Sequence, residues 1–166
     1  EFSNYKNVQL CICTNNKYTT IYDKNWINSE FNQPLGNSLN QLLNLTHLTF
    51  DYKFNQPLDN SLNQLHNLTN LTMGIYFNQP LNITLSQLTN LNELTLGYRF
   101  NQELEITFNI RVLKLNCNNV FLIENLPDSI VELHLLENFN LELNNLPSSI
   151  KTISFHKDSK YNKELN

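Results

Sequence analysis

Residues 54–76 read FNQPLDNSLNQLHNLTNLTMGIY, and residues 77–99 read FNQPLNITLSQLTNLNELTLGYR. Residues 31–53, FNQPLGNSLNQLLNLTHLTFDYK, are a third copy, and a shorter fourth begins FNQELEITFNI at Phe100. Phe31, Phe54, Phe77 and Phe100 open the four copies at a constant period of 23. Self-similarity at a fixed period of this length marks a solenoid, in which each unit buries its apolar face only against its neighbours.

Each copy carries a Leu-x-x-Leu-x-Φ stretch: Leu45, Leu48, Phe50; then Leu68, Leu71, Met73; then Leu91, Leu94, Leu96. Looser versions follow at Ile110, Leu113, Leu115, at Ile130, Leu133, Leu135 and at Ile150, Ile153, Phe155. The end of each stretch alternates apolar with polar, the period of a strand. Ser61–Leu65 instead spaces its leucines three apart, as a 3₁₀ or helical turn does, and Pro34, Pro57 and Pro80 each enter that turn. The prediction is a right-handed stack of about six short parallel strands with turns or short helices on the other side. The later units carry a second signature, Leu126-Pro127-Asp128-Ser129-Ile130 and Leu146-Pro147-Ser148-Ser149-Ile150, with a period of 20. Phe139-Asn140 and Tyr161-Asn162 echo the opening motif.

A helical solenoid is the competing architecture. The chain has 31 asparagines and no alanine, and a proline in each of the first three units. Those residues disfavour packed helices, because asparagine competes with the helix for its own hydrogen bonds and proline removes one.

Composition bounds the chemistry. A net charge of −4 argues against nucleic acid as a partner, since its binders cluster Lys and Arg. No apolar run is long enough to span a bilayer and no signal-peptide core is present, so no membrane role is expected. Three cysteines, Cys11, Cys13 and Cys117, make an odd number that fits a reduced, cytoplasmic protein better than a disulfide scaffold. No second ligand pair stands at zinc spacing, so neither a metal nor another cofactor is expected. His47, His66, His134 and His156 fall in different units with no nucleophile patterned beside them. The chain is therefore expected not to be an enzyme.

The run Leu-x-x-Leu-x-Φ-Gly-x-x-Phe-Asn-Gln-Pro-Leu resembles the FNIP (FGxxFN-type) leucine-rich repeats of social amoebae and of giant DNA viruses that infect amoebae. Gly74 and Gly97 stand at the glycine position, while the first copy has Asp51. The likeness covers about residues 31–166. It implies a curved leucine-rich-repeat fold with a phenylalanine spine and, in many members, a partner F-box domain that recruits a ubiquitin ligase. No F-box is recognisable in residues 1–30, where Val8–Cys13 and Lys17–Tyr22 around Asn15-Asn16 read as a β-hairpin capping the stack. Residues 1–30 are thus expected to be a cap and 31–166 the repeat domain.

Leucine-rich repeats bury an asparagine at the strand exit. Asn32, Asn55, Asn78, Asn101 and Asn140 fill the matching place and are read as a structural ladder bonding the backbone of adjacent turns. Strand alternation then sends the third, fifth and seventh residues of each unit onto the concave face. The first units place a uniform threonine column there, Thr49, Thr72 and Thr95. Lys114, Glu132, His134 and Leu136 break it, and His47 and Glu93 share the same face. These six are the expected protein-binding residues. The expected function is protein–protein recognition in the cytoplasm (the host's, for a viral chain), as the target-binding part of an F-box-type adaptor. The alternative is a structural or virion component that self-associates through its stack.

Overall fold

The computed structural model describes residues 7–10, 31–106 and 109–164, with only the backbone described for 7–10. Seven strands form one parallel sheet in sequence order. They are β1 (Asn7–Leu10), β2 (His47–Phe50), β3 (Asn70–Thr72), β4 (Glu93–Leu96), β5 (Val112–Leu115), β6 (Glu132–Leu135) and β7 (Thr152–Phe155). Their register aligns like with like: His47, Asn70, Glu93, Val112, Glu132 and Thr152 stand in one row. The period from strand to strand along that row is therefore 23, 23, 19, 20 and 20.

The expected six strands are β2–β7. The seventh, β1, comes from the segment read as a capping hairpin and pairs parallel with β2, Val8 beside Leu48. Residues 11–30, which hold the rest of that expected hairpin, lie outside the described residues.

The apolar row of every strand from β2 to β6 is buried. Leu71, Leu94, Leu113, Leu133 and Leu135 are fully inaccessible, whereas their strand neighbours are half-buried. Burying one such leucine contributes about 1.5–3 kcal/mol, so stacking coil on coil is what holds the fold. The phenylalanines form the second row. Phe31, Phe54, Phe77 and Phe100 stack at centroid distances of 6.0, 6.2 and 6.4 Å with rings nearly parallel.

The return side varies from coil to coil. In the first two coils it is a chain of three-residue turns, such as Leu65 N–H to the Leu62 carbonyl at 3.0 Å. Gly36 and Asp59, at equivalent places, both take positive φ there (+51° and +40°). Asn82 fills that place in the third coil and instead begins a helix, α1 (Asn82–Gln87), which buries Thr84 and Leu85. A second helix, α2 (Val120–Glu124), starts at Asn119, whose side chain accepts the Leu122 N–H at 3.3 Å. Such a cap satisfies one of the N–H groups that a helix start leaves unpaired.

The charged cleft on the open face

The sheet's open face is built from the rows that alternate with the buried leucines. Parallel register places Lys114 beside Thr95, His134 beside Lys114, and Ser154 beside His134. Lys114 reaches diagonally to β4, where its Nζ lies 2.6 Å from Glu93 Oε1. His134 Nδ1 is 2.5 Å from Ser154 Oγ, and its Nε2 is 3.3 Å from Glu132 Oε2. For a neutral ring, one tautomer satisfies both contacts: Ser154 O–H donates to Nδ1, and Nε2–H donates to Glu132.

These side chains line a cleft of about 420 Å³, with Val112 and Leu136 as its apolar walls and His156 at its end. Five of the six residues expected on the binding face, Glu93, Lys114, Glu132, His134 and Leu136, thus come together. His47 does not. It stands exposed on β2, its Nδ1 2.9 Å from Thr46 Oγ1, with β3 between it and Glu93.

Serine, histidine and glutamate in a row invite comparison with a hydrolytic triad. Thr152 and His156, two residues to either side of Ser154, donate their N–H groups to the Val131 and Leu135 carbonyls, so those two amides are taken up by the sheet. Among the described residues there is also no cluster of three His, Cys, Asp or Glu arranged to hold a metal. None of the described helices is long and apolar enough to cross a membrane.

The asparagines behind the motif occupy a different surface. Asn55 donates its N–H to Asn32 Oδ1 at 2.9 Å, Asn78 to Asn55 Oδ1 at 2.8 Å, and Asn101 to Asn78 Oδ1 at 2.9 Å. The glutamine of each Phe-Asn-Gln joins in, as when Gln102 Nε2 donates to Asn78 Oδ1 at 3.1 Å. Asn140 donates to Asn118 Oδ1 at 2.7 Å, and Asn162 to Asn140 Oδ1 at 3.1 Å. This row is half-buried or exposed rather than interior, with Asn32 and Asn101 open to solvent.

Two features escaped the sequence reading. Cys117-Asn118-Asn119 is a Phe-Asn-Gln unit in disguise: Cys117 takes the spine position, Asn118 joins the ladder, and Asn119 Nδ2 donates to the Gln102 carbonyl at 2.8 Å. The signal for it was Asn-Asn at the motif's place, with Asn118 standing 22 residues before Asn140. A second amide row runs elsewhere, Asn67 Nδ2 to the Leu43 carbonyl at 2.8 Å and Asn90 Nδ2 to that of His66 at 2.7 Å. Its signal was the Asn-Leu that follows each convex turn.

A model of the FNIP repeat matches residues 118–158. Residues 118–158 are thus of the FNIP repeat type. The chain is also similar to a solved structure described as "The crystal structure of CroV588 a novel circular LRR protein structure". That match has a TM-score of 0.58 and 36% identity, and covers 76% of this chain. It spans only 19% of the other chain, so these FNIP repeats correspond to about a fifth of that protein. No curated protein matches the chain. Leucine-rich repeats of this kind are in general protein-interaction modules and are typically not enzymes.

Proposed function

We propose that these FNIP repeats recognise a protein partner through the open face of the sheet, centred on the cleft between β4 and β7. The observation that supports this most is the break in regularity at that place. Three strands present threonine at the central position, and then Lys114, His134 and Ser154 replace it where the cleft forms. A uniform threonine column is explained by strand preference alone. Apolar side chains such as Val112 and Leu136 bordered by hydrogen-bonding polar and charged ones give the apolar patch and polar rim that a recognition surface combines. The finer role we assign is target recognition within an F-box-type ubiquitin-ligase adaptor working in the cytoplasm, on the strength of the resemblance.

The test is capture with a photo-crosslinking residue in place of Leu136, in amoebal extract. A dominant crosslinked protein, lost when Lys114→Glu and Glu132→Lys are combined at an unchanged thermal midpoint, supports the reading. Ligase subunits in the same complex support the adaptor role. Crosslinking that survives the double reversal overturns the open-face assignment.

One observation favours a second reading, self-association through the end of the stack. On β7 the apolar row is uncovered: Ile153 is 39% and Phe155 36% exposed, where Leu133 and Leu135 are fully buried. The circular form of the similar solved structure shows one way in which repeats of this type leave no edge. Lys151 immediately precedes this strand and Lys157, Lys160 and Lys163 follow it, and lysines at an edge discourage strand-to-strand addition. Sedimentation over a concentration range separates the readings. A monomer throughout rules out the second.

A further inference from the structure

We propose, resting on the open-face reading, that the partner's contact is an extended segment carrying a Lys or Arg four residues from an aliphatic anchor. The cation belongs at Glu132. Of the two carboxylates in the cleft, Glu93 is held by Lys114 at 2.6 Å, whereas Glu132, among the described residues, meets a histidine nitrogen at 3.3 Å. Its side chain is 46% exposed. The stem of an incoming Lys or Arg would lie along Val112, which occupies the row beside Glu132. The excess of charge in the repeats has the matching sign: residues 31–164 contain twelve acidic and eight basic residues. An approaching cation is thus favoured over an anion.

The anchor belongs in a second hollow of about 220 Å³, which meets the cleft at Leu136. Leu96 and Met73 form its apolar floor, and Tyr52 and Ile75 stand exposed at its rim. Its β4 wall ends at Gly97, two strands across from Glu132 and four residues further along, and the anchor would rest against that wall. With strands about 4.8 Å apart and about 3.3 Å per residue, the diagonal is roughly 16 Å, or about five extended residues. The Glu132 carboxylate leans along its strand toward His134, which shortens the span to about four. Side chains of an extended segment alternate, so only an even spacing turns both toward the sheet.

The experiment uses the full chain with labelled methyl groups and three synthetic peptides. Acetyl-Leu-Ser-Thr-Ser-Arg amide has the proposed spacing, acetyl-Leu-Ser-Thr-Arg amide is one residue shorter, and acetyl-Leu-Ser-Thr-Ser-Glu amide reverses the charge. The first is expected to shift the methyl resonances of Val112 and Leu136 together, and to bind about three- to five-fold more tightly than the other two, the scale of an exposed ion pair. Glu132→Gln should remove that preference. Equal response to all three peptides, no response at these methyls, or a preference unchanged by Glu132→Gln overturns the proposed motif. The open-face reading stands or falls separately, on whether the Lys114 and Glu132 reversal abolishes capture of the natural partner.

Discussion

Asn78 accepts through its Oδ1 the backbone N–H of Asn101, 23 residues later in the chain and one coil away in space, at 2.9 Å. The same oxygen accepts from Gln102 Nε2 at 3.1 Å. One side-chain atom thereby ties two donors of the next coil, which is why asparagine and glutamine travel together in the motif.

Asn78→Ala should therefore cost about 1–2 kcal/mol, since it strands one backbone N–H and one amide. The row is half-buried, so water replaces part of what is lost and the cost stays below that of an interior site. Asn78→Asp keeps an acceptor in the same place and should cost less than alanine. Denaturant midpoints of the two variants check the order; an alanine variant as stable as the parent would remove the ladder from the account of stability.

The spine has its own irregularity at Cys117. Phe77 and Phe100 stack at 6.4 Å, and Phe139 and Tyr161 at 6.3 Å, but the residue between the two sets is a cysteine. The coil that leads to it is short: Gln102 bonds Asn119 across 17 residues, where Asn78 bonds Asn101 across 23. A shorter coil encloses less space. Restoring the repeat with Cys117→Phe should accordingly destabilise by about 1–3 kcal/mol through overpacking, although it improves the match to the motif. A raised thermal midpoint would show that the coil has room to spare.

Burial pushes the Cys117 thiol up to about 11. In the unfolded chain a thiol ionises near 8.5, roughly. The native state therefore holds the proton more tightly, and the stability tied to it is complete below that value and declines as pH rises from there toward 11. Because the thiolate is the reactive form, iodoacetamide at about pH 8.5 should leave Cys117 unmodified in the folded protein and modify it in denaturant. Peptide mass spectrometry reads this directly. Rapid native labelling would contradict the burial.

What the sequence made legible follows from what repetition averages. The strand positions, the leucine row and the phenylalanine row recur in register, so each copy corroborates the others, and Leu48, Leu71 and Leu94 pair as their spacing implies. The Cys117 unit was hidden because one substitution removed the aromatic ring by which the motif is recognised, while the backbone contacts through Asn118 persisted. The parallel β1 was hidden because its segment lacks the repeat entirely. On the open face, alternation gave the direction of each side chain. It could not give the diagonal reach of Lys114 to Glu93, which depends on side-chain length and on the lateral offset between strands.

That diagonal pair contributes little to stability. The side chains of Lys114 and Glu93 remain 32% and 22% exposed, and partly exposed ion pairs are worth about 0–1 kcal/mol. A double-mutant cycle with Lys114→Met and Glu93→Gln should give a coupling within that range. A coupling well above it would make the cleft a structural element and weaken its assignment as a surface free to vary.

The glycines separate two kinds of constraint. Gly36 has φ +51° and nothing within 4 Å of where a Cβ would stand, so Gly36→Ala meets only the left-handed backbone penalty of about 1–2 kcal/mol. Gly97 has ordinary φ, but a Cβ there would overlap the Gly74 carbonyl oxygen, and one on Gly74 would overlap that of Asp51 in the same way. A Cβ has no rotamer by which to escape, and the obstruction is backbone of the adjacent coil. Gly97→Ala must push β4 and the coil before it apart, loosening the leucine and phenylalanine rows at once, and should cost about 3 kcal/mol or more. Thermal melts of both variants measure the contrast. If Gly36→Ala proved the more damaging, turn conformation rather than coil-to-coil approach would be what glycine secures in this repeat.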